Sequence, residues 1–131
     1  MNKIKSCLLV ENDPEDQQFF MDVLHRVSSE TGCYAVACAE DAFHALGKEG
    51  FIPDYIFTEL NLPDADGFDF LRTLRSTEKF RKIPIVVYTS DYSEAQIEKA
   101  RKAGASAMFS KTRMPTLASF IDRIFQNETI L

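Results

Sequence analysis

The chain has 131 residues, a formal net charge of −5, 45% hydrophobic residues and 27% charged residues, the size and composition of one globular domain with a core of its own. The acidic balance excludes general affinity for nucleic acid or anionic membranes, which needs clustered Lys and Arg. No apolar run reaches spanning length, and Met1-Asn2-Lys3-Ile4-Lys5 is too short and too quickly interrupted for a signal peptide.

Cys7-Leu8-Leu9-Val10 is a continuous apolar run ending in Glu11-Asn12-Asp13. Such a run suits a strand buried on both faces, hence a parallel sheet. Asp13-Pro14-Glu15-Asp16 opens a helix: Asp13 caps it, Pro14 fits the first position, and Glu15 and Asp16 complement the positive end of the dipole. Phe19, Phe20, Val23, Leu24 and Val27 recur at helical spacing as its buried stripe, and Gly32 is the expected stop. Tyr34-Ala35-Val36-Ala37-Cys38 reads as the second strand. The next helix turns Ala42, Phe43, Ala45 and Leu46 inward and ends near Gly47 or Gly50.

Pro53-Asp54-Tyr55-Ile56-Phe57-Thr58-Glu59 is the third strand, an apolar run that stops abruptly at a carboxylate. The loop Leu60-Asn61-Leu62-Pro63-Asp64-Ala65-Asp66 leads to a helix from Gly67 to Ser76, with Phe70, Leu71 and Leu74 on one face. Pro84-Ile85-Val86-Val87-Tyr88-Thr89 is the fourth strand, with proline at its start, where a missing N–H does least harm. Ser93-Glu94-Ala95-Gln96 is a capping-box pattern, and the helix it opens stops at Gly104 with a thin stripe of Ile97, Ala100 and Ala103. Ala107-Met108-Phe109-Ser110 is the fifth strand. Pro115 starts the last helix, whose stripe of Leu117, Phe120, Ile121, Ile124 and Phe125 is wider than one sheet face needs and favours a protein contact there.

Strands alternating with helices specify an α/β fold with a parallel sheet and right-handed crossovers. Five such units in a chain of this length suit the flavodoxin-like doubly wound (βα)5 sandwich, strand order 2-1-3-4-5. In that order strands 1 and 3 flank the switch point, and ligands bind beyond the carboxyl ends of the strands. Strand 1 is followed by Glu11, Asn12 and Asp13, and strand 3 by Glu59; strand 4 ends in Thr89 and Ser90, and strand 5 is followed by Lys111. Hard oxygen ligands suit Mg²⁺. A hydroxyl and an ammonium suit phosphoryl oxygens, so the ordered set describes phosphoryl transfer.

Those stretches, with Ala103-Gly104-Ala105-Ser106-Ala107 before Lys111, make the chain resemble the receiver domain of two-component response regulators over essentially its full length. The resemblance implies a signalling module, not an enzyme, that takes a phosphoryl group from a histidine kinase onto an aspartate with Mg²⁺. It places Glu59 at the phospho-acceptor position, Glu11 and Asn12 at the metal-binding acid pair, and the Asn61 backbone carbonyl at a further metal ligand. Thr89 falls at the switch hydroxyl, Met108 at an aromatic switch position, and Lys111 at the phosphoryl-contacting lysine. The responding surface would be helix 4, strand 5 and helix 5, represented by Ile97, Met108, Phe120 and Ile124.

Four departures from the family pattern matter. Glu59 stands where the family has aspartate, and one extra methylene displaces the carboxylate by roughly a bond length; misplacement on the order of 1 Å can cost about a hundredfold. Asn12 replaces an acid, so Mg²⁺ binding is expected to be weakened. Met108 replaces an aromatic and cannot repeat a tyrosine hydroxyl's contacts. Thr112 follows Lys111 where the family has a cis proline, so a trans bond and a shifted loop are expected.

Glu59 can be read as a fixed stand-in for a phosphorylated aspartate, reaching Lys111 and Thr89, or as lost chemistry retained as a salt bridge. Asp64, Asp66 and Asp91 are expected to be turn or capping acids, and His25 and His44 surface residues. Cys7, Cys33 and Cys38 lack CxxC spacing and are expected to be free thiols of a cytoplasmic protein. The loop after strand 1 is acidic and lacks glycine, which speaks against an organic phosphate cofactor such as a flavin. A nucleophile paired with a base is also missing. The expected protein is a stand-alone, degenerate receiver spanning residues 1–131. It would work through a sensor kinase, a downstream signalling protein or a homodimer. The alternative expectation is a working acceptor that uses Glu59 or a nearby aspartate.

Overall fold

Most joints between strand and helix are made by a short polar side chain that caps the helix it opens. The computed structural model describes residues 5–48 and 50–126, apart from the Met114 side chain. The segment weighed as a leader lies outside the described residues except for Lys5. The elements in order are β1 (Ser6–Val10), α1 (Pro14–Val27), β2 (Gly32–Val36), α2 (Ala39–Leu46), β3 (Tyr55–Thr58), α3 (Gly67–Ser76), β4 (Ile85–Thr89), α4 (Glu94–Ala103), β5 (Ala107–Ser110) and α5 (Leu117–Phe125). Asp13 accepts the N–H groups of Glu15 and Asp16 at the start of α1, Asp66 does the same for Phe68 and Asp69 in α3, and Ser93 takes Gln96 N–H in α4. These bonds satisfy donors that a helix end otherwise leaves open.

The sheet is parallel in the order β2-β1-β3-β4-β5, as the alternating pattern predicts. Because side chains alternate along a strand, the sheet feeds two cores. Leu8, Val10, Ile56, Ile85 and Val87 pack with α2, α3 and α4. Leu9, Phe57, Val86, Tyr88 and Phe109 pack with α1 and α5. The strands of that second core carry a run of rings: Tyr88 stacks on Phe109 at 5.9 Å, and Phe20 meets Phe57 at 4.8 Å.

Two glycines have conformational reasons. Gly104 ends α4 at φ 115°, the left-handed region, and an added Cβ would meet the Arg75 side chain. Gly67 adopts ordinary angles, but a Cβ there would strike the Leu60 backbone. Arg75 itself is a clamp at the opposite edge of the sheet from the acids. Its guanidinium donates to Gly104 O at 2.8 Å, Ile83 O at 2.6 Å and Arg81 O at 2.9 Å.

Three boundaries differ from expectation. Gly32 does not stop α1; Ser28 closes that helix by donating its N–H to Leu24 O, and Gly32 opens β2 by donating to Lys5 O. Cys38 leaves the strand to cap α2, its Sγ accepting Asp41 N–H at 3.4 Å. Pro115 lies in a 3-10 turn, Lys111–Thr116, and α5 begins only at Leu117. Proline lacks an N–H and disfavours helical angles in the residue before it, so the regular helix forms after the turn.

Candidate functional site

The carboxyl ends of β1 and β3 are adjacent in the sheet, with Val10 opposite Thr58. The next residues, Glu11 and Glu59, therefore leave the sheet side by side, and Glu59 N–H donates to Val10 O at 3.0 Å. Both are buried, at 2% and 6% exposure. Lys111 follows β5 and reaches back across the crevice, its side chain 10% exposed. Its Nζ lies 2.5 Å from Glu11 Oε1, 2.9 Å from Glu59 Oε1 and 2.9 Å from Asp16 Oδ2. The ring of Tyr88 lies 5.2 Å from the same nitrogen, which adds a cation–π contact.

The second oxygens of the two glutamates are also engaged. Glu11 Oε2 accepts Asp13 N–H at 3.1 Å. Glu59 Oε2 accepts Leu60 N–H at 2.7 Å and Asn61 N–H at 3.3 Å. The longer glutamate side chain thus folds back onto the loop that follows it while its other oxygen faces Lys111. Among the described residues no buried side-chain nitrogen or oxygen lacks a partner.

Burial pulls the Lys111 ammonium towards neutrality, but hydrogen bonds to Glu11, Glu59 and Asp16 outweigh it and carry its pKa above the ordinary lysine value. Burial raises the Glu11 carboxyl, and the Lys111 hydrogen bond opposes that rise without cancelling it. Both values are raised, the lysine's because three acids outweigh its burial and the glutamate's because one shared lysine does not outweigh its own. The state we assign is a charged lysine in a surplus of carboxylate.

Of the residues expected at the site, the structure brings Glu11, Glu59 and Lys111 into contact. Asn12 and Asn61 are exposed, and Asn61 pairs with Asp66 in an isolated bridge. Thr89 is fully buried and its hydroxyl accepts Asp91 N–H at 3.1 Å, while the Glu59 carboxylate meets Lys111 and the Leu60 and Asn61 N–H groups. Lys111 passes directly into the 3-10 turn, and there is no cis peptide among the described residues, as expected for Thr112 in place of proline.

The residue that sequence reasoning missed is Asp16. Its place in the first turn of α1 reads as a partner for the helix dipole, whereas its carboxylate joins Lys111. The available signal was the geometry of the cap: with Asp13 fixed as N-cap, the third helical residue lies over the crevice. Gln17 braces this turn by donating Nε2 to Glu11 O at 2.5 Å and Val36 O at 3.3 Å.

The metal that the resemblance implies does not fit this arrangement. Glu11 has both oxygens occupied, Asn12 is exposed, and the position between the carboxylates holds an ammonium. No group of three or more His, Cys, Asp or Glu among the described residues is arranged to hold a metal ion.

The surface residues require a correction. Met108, Phe120 and Ile124 are core residues at 2%, 7% and 6% exposure, and Ile97 packs half-buried against the core that holds Met108, on the other sheet face from Phe120 and Ile124. The apolar stripe of α5 is used by the sheet: even Phe125 packs on Tyr55, ring centroids 5.0 Å apart. The same face nevertheless holds a groove of about 220 Å³, floored by Met108, Phe109 and Phe120 and edged by Tyr92, Arg113 and Arg123. The loop acids behave as expected. Asp64 accepts Ala39 and Glu40 N–H at the start of α2, Asp66 caps α3, and Asp91 accepts from Gln96. His25 and His44 are exposed, and all three cysteines are free.

Residues 8–122 match the response regulator receiver domain family. The chain is 30% identical over 129 residues to the chemotaxis protein CheY-3 of Vibrio cholerae serotype O1, covering 96% of this chain and 95% of that one. The structure resembles the phosphorylated cyanobacterial phytochrome response regulator RcpA, with a TM-score of 0.83, 23% identity and coverage of 95% and 93%. It also resembles the receiver domain of the sensor histidine kinase PA1611 from Pseudomonas aeruginosa PAO1, solved with a magnesium ion in its active-site cleft. That match has a TM-score of 0.79, 26% identity and coverage of 95% and 97%. Parallel order, acids beyond β1 and β3, a lysine beyond β5 and the family match agree: the chain belongs to the response regulator receiver domains of two-component signalling.

Proposed function

We propose that this chain is a degenerate receiver that signals by binding another protein, without conventional aspartate phosphorylation. The observation that carries this reading is the Glu59 carboxylate, 2.9 Å from Lys111 through one oxygen and bonded to the Leu60 and Asn61 N–H groups through the other. In a receiver the acceptor carboxylate must present an oxygen to a phosphodonor in near-attack geometry. Here both oxygens are engaged on the protein, and the chain is one methylene longer than aspartate.

The same contacts hold the site in one arrangement. A carboxylate supplies one charge and two oxygens where a phosphoryl group supplies about two charges and three oxygens, so Glu59 imitates a phosphorylated residue only in part. The turn between Thr89 and Asp91 supports that incompleteness. Mg²⁺ binds this domain at most weakly, since an ammonium holds the position between the carboxylates, and no organic cofactor is needed for its role. The whole chain of residues 1–131 acts as one cytoplasmic module whose partners are a sensor histidine kinase or a downstream signalling protein, with a homodimer as the other use of the face formed by α4, β5 and α5. The groove beside Met108 supports that face, and Arg113 in its lining favours an acidic partner segment.

The test is an intact-mass measurement after incubation with a small phosphodonor and Mg²⁺. An unshifted mass is expected, and a near-stoichiometric phosphoryl adduct on the wild-type chain overturns the reading.

A further inference from the structure

We propose that the Lys111 ammonium is the resident cation of this site and that Asp16 is the positioning residue that keeps it there against a divalent ion. The inference rests on reading Glu11 and Glu59 as receiver-site carboxylates, and it gives metal exclusion a different cause from the amide at position 12.

The first argument is stoichiometric. An ammonium has three N–H donors, and Lys111 has three carboxylate oxygens within 2.5, 2.9 and 2.9 Å, from Glu11, Glu59 and Asp16. Glu11 follows β1, Glu59 follows β3 and Asp16 lies in α1, so three separate parts of the chain hold the nitrogen while the Tyr88 ring lies 5.2 Å away. The second argument concerns what remains for a metal. Mg²⁺ demands a nearly ideal octahedron of oxygens. The second oxygens of Glu11 and Glu59 are committed to backbone N–H groups. A divalent ion on the first oxygens would lie within a few ångströms of a buried ammonium and be repelled by it.

Asp16 decides between these occupants because it belongs to neither acid-bearing strand. Glu11 and Glu59 face the same space whether a metal or an ammonium fills it. Asp16 reaches in from the first turn of α1, a turn fixed by the Asp13 cap and by the Gln17 bonds to Glu11 O and Val36 O. It adds to Lys111 a third carboxylate oxygen, 2.9 Å from Nζ, that neither strand end supplies. Asn12, by contrast, is exposed, and the ion pairs of Lys111 are made by Glu11, Asp16 and Glu59, so charge at position 12 does not release the lysine.

The test is Mn²⁺ binding, read by loss of the free-ion electron paramagnetic resonance signal. The proteins compared are wild type, Asn12→Asp, the double variant Asn12→Asp/Asp16→Ala, and Lys111→Met. Wild type and Asn12→Asp are expected to leave millimolar Mn²⁺ free. The double variant and Lys111→Met are expected to bind at least about 10-fold more tightly than wild type. Saturable binding by wild type, or by Asn12→Asp with Lys111 and Asp16 intact, overturns the proposal. So does failure of the folded double variant to gain binding, which keeps the test decisive if Lys111→Met does not fold. The readout is the ion and not a phosphoryl adduct. A wild-type chain that accepts phosphate would therefore defeat the functional reading through its mass, whereas this inference fails only through the Mn²⁺ titration.

Discussion

The Glu59 carboxylate and the Lys111 ammonium lie 2.9 Å apart in a crevice where their side chains are 7% and 10% exposed. A pair this buried depends on complete hydrogen bonding, since the interaction must offset the loss of water around both charges. Completeness is what the site has: Asp16 and Glu11 share the ammonium, and loop N–H groups take the second oxygen of Glu59.

Removing the cation alone should therefore be expensive. Lys111→Met leaves three carboxylates facing one another, and breaking a buried pair from one side costs about 3–5 kcal/mol. Urea denaturation should show a loss of that order. Adding Glu59→Gln should recover part of it, because one uncompensated charge goes with it. A loss below about 1 kcal/mol would mean that the cluster behaves as a surface pair.

Asp64 gives a pH-dependent prediction. The N–H groups of Glu40 and Ala39 donate to its carboxylate and hold it below the usual aspartate value of 3.8. A depressed folded value means that its contribution is present above 3.8 and fades as the pH falls through the lower, folded value. The difference in melting temperature between wild type and Asp64→Asn should be constant at neutral pH, favour wild type, and disappear in acid. A difference that grows on acidification would refute the sign.

Arg75 can be tested apart from the site. Its bonds to Gly104 O, Ile83 O and Arg81 O join the ends of α3 and α4 to the entry of β4. Arg75→Ala leaves half-buried carbonyls without a donor, a loss on the order of 1–3 kcal/mol. Arg75→Lys should rescue little, because an ammonium cannot reproduce a planar fork that serves several carbonyls. Full rescue by lysine in chemical denaturation would show that charge, not the fork, is what matters.

The apolar runs at Leu8, Ile56 and Val86 announced strands buried on both faces, and Asp13, Asp66 and Ser93 announced the helices after them. Those signals are local, so the strand order followed, and with it the meeting of Glu11, Glu59 and Lys111. What was not legible depends on three-dimensional company. A helical stripe shows that Phe120 and Ile124 are apolar together, but not that the sheet covers them completely. A hydroxyl at the end of β4 does not disclose that the Asp91 N–H will claim it. Asp16 fits the helix dipole so well that its second use, signalled only by the geometry of the Asp13 cap, is passed over. Gly32, Cys38 and Pro115 shifted boundaries because each residue type serves more than one end.

The most direct test of the account returns to position 59. Wild type and Glu59→Asp are incubated side by side with a small phosphodonor and Mg²⁺, intact masses are measured, and any adduct is mapped to its residue. Shortening the side chain by one methylene draws the carboxylate back from Lys111 and removes one of the three anchors that hold the ammonium against Mg²⁺, so the account predicts an adduct on Asp at position 59 of the variant and none on wild type. Equal labelling of both chains, whether on Glu59 or on a neighbouring aspartate, would contradict it.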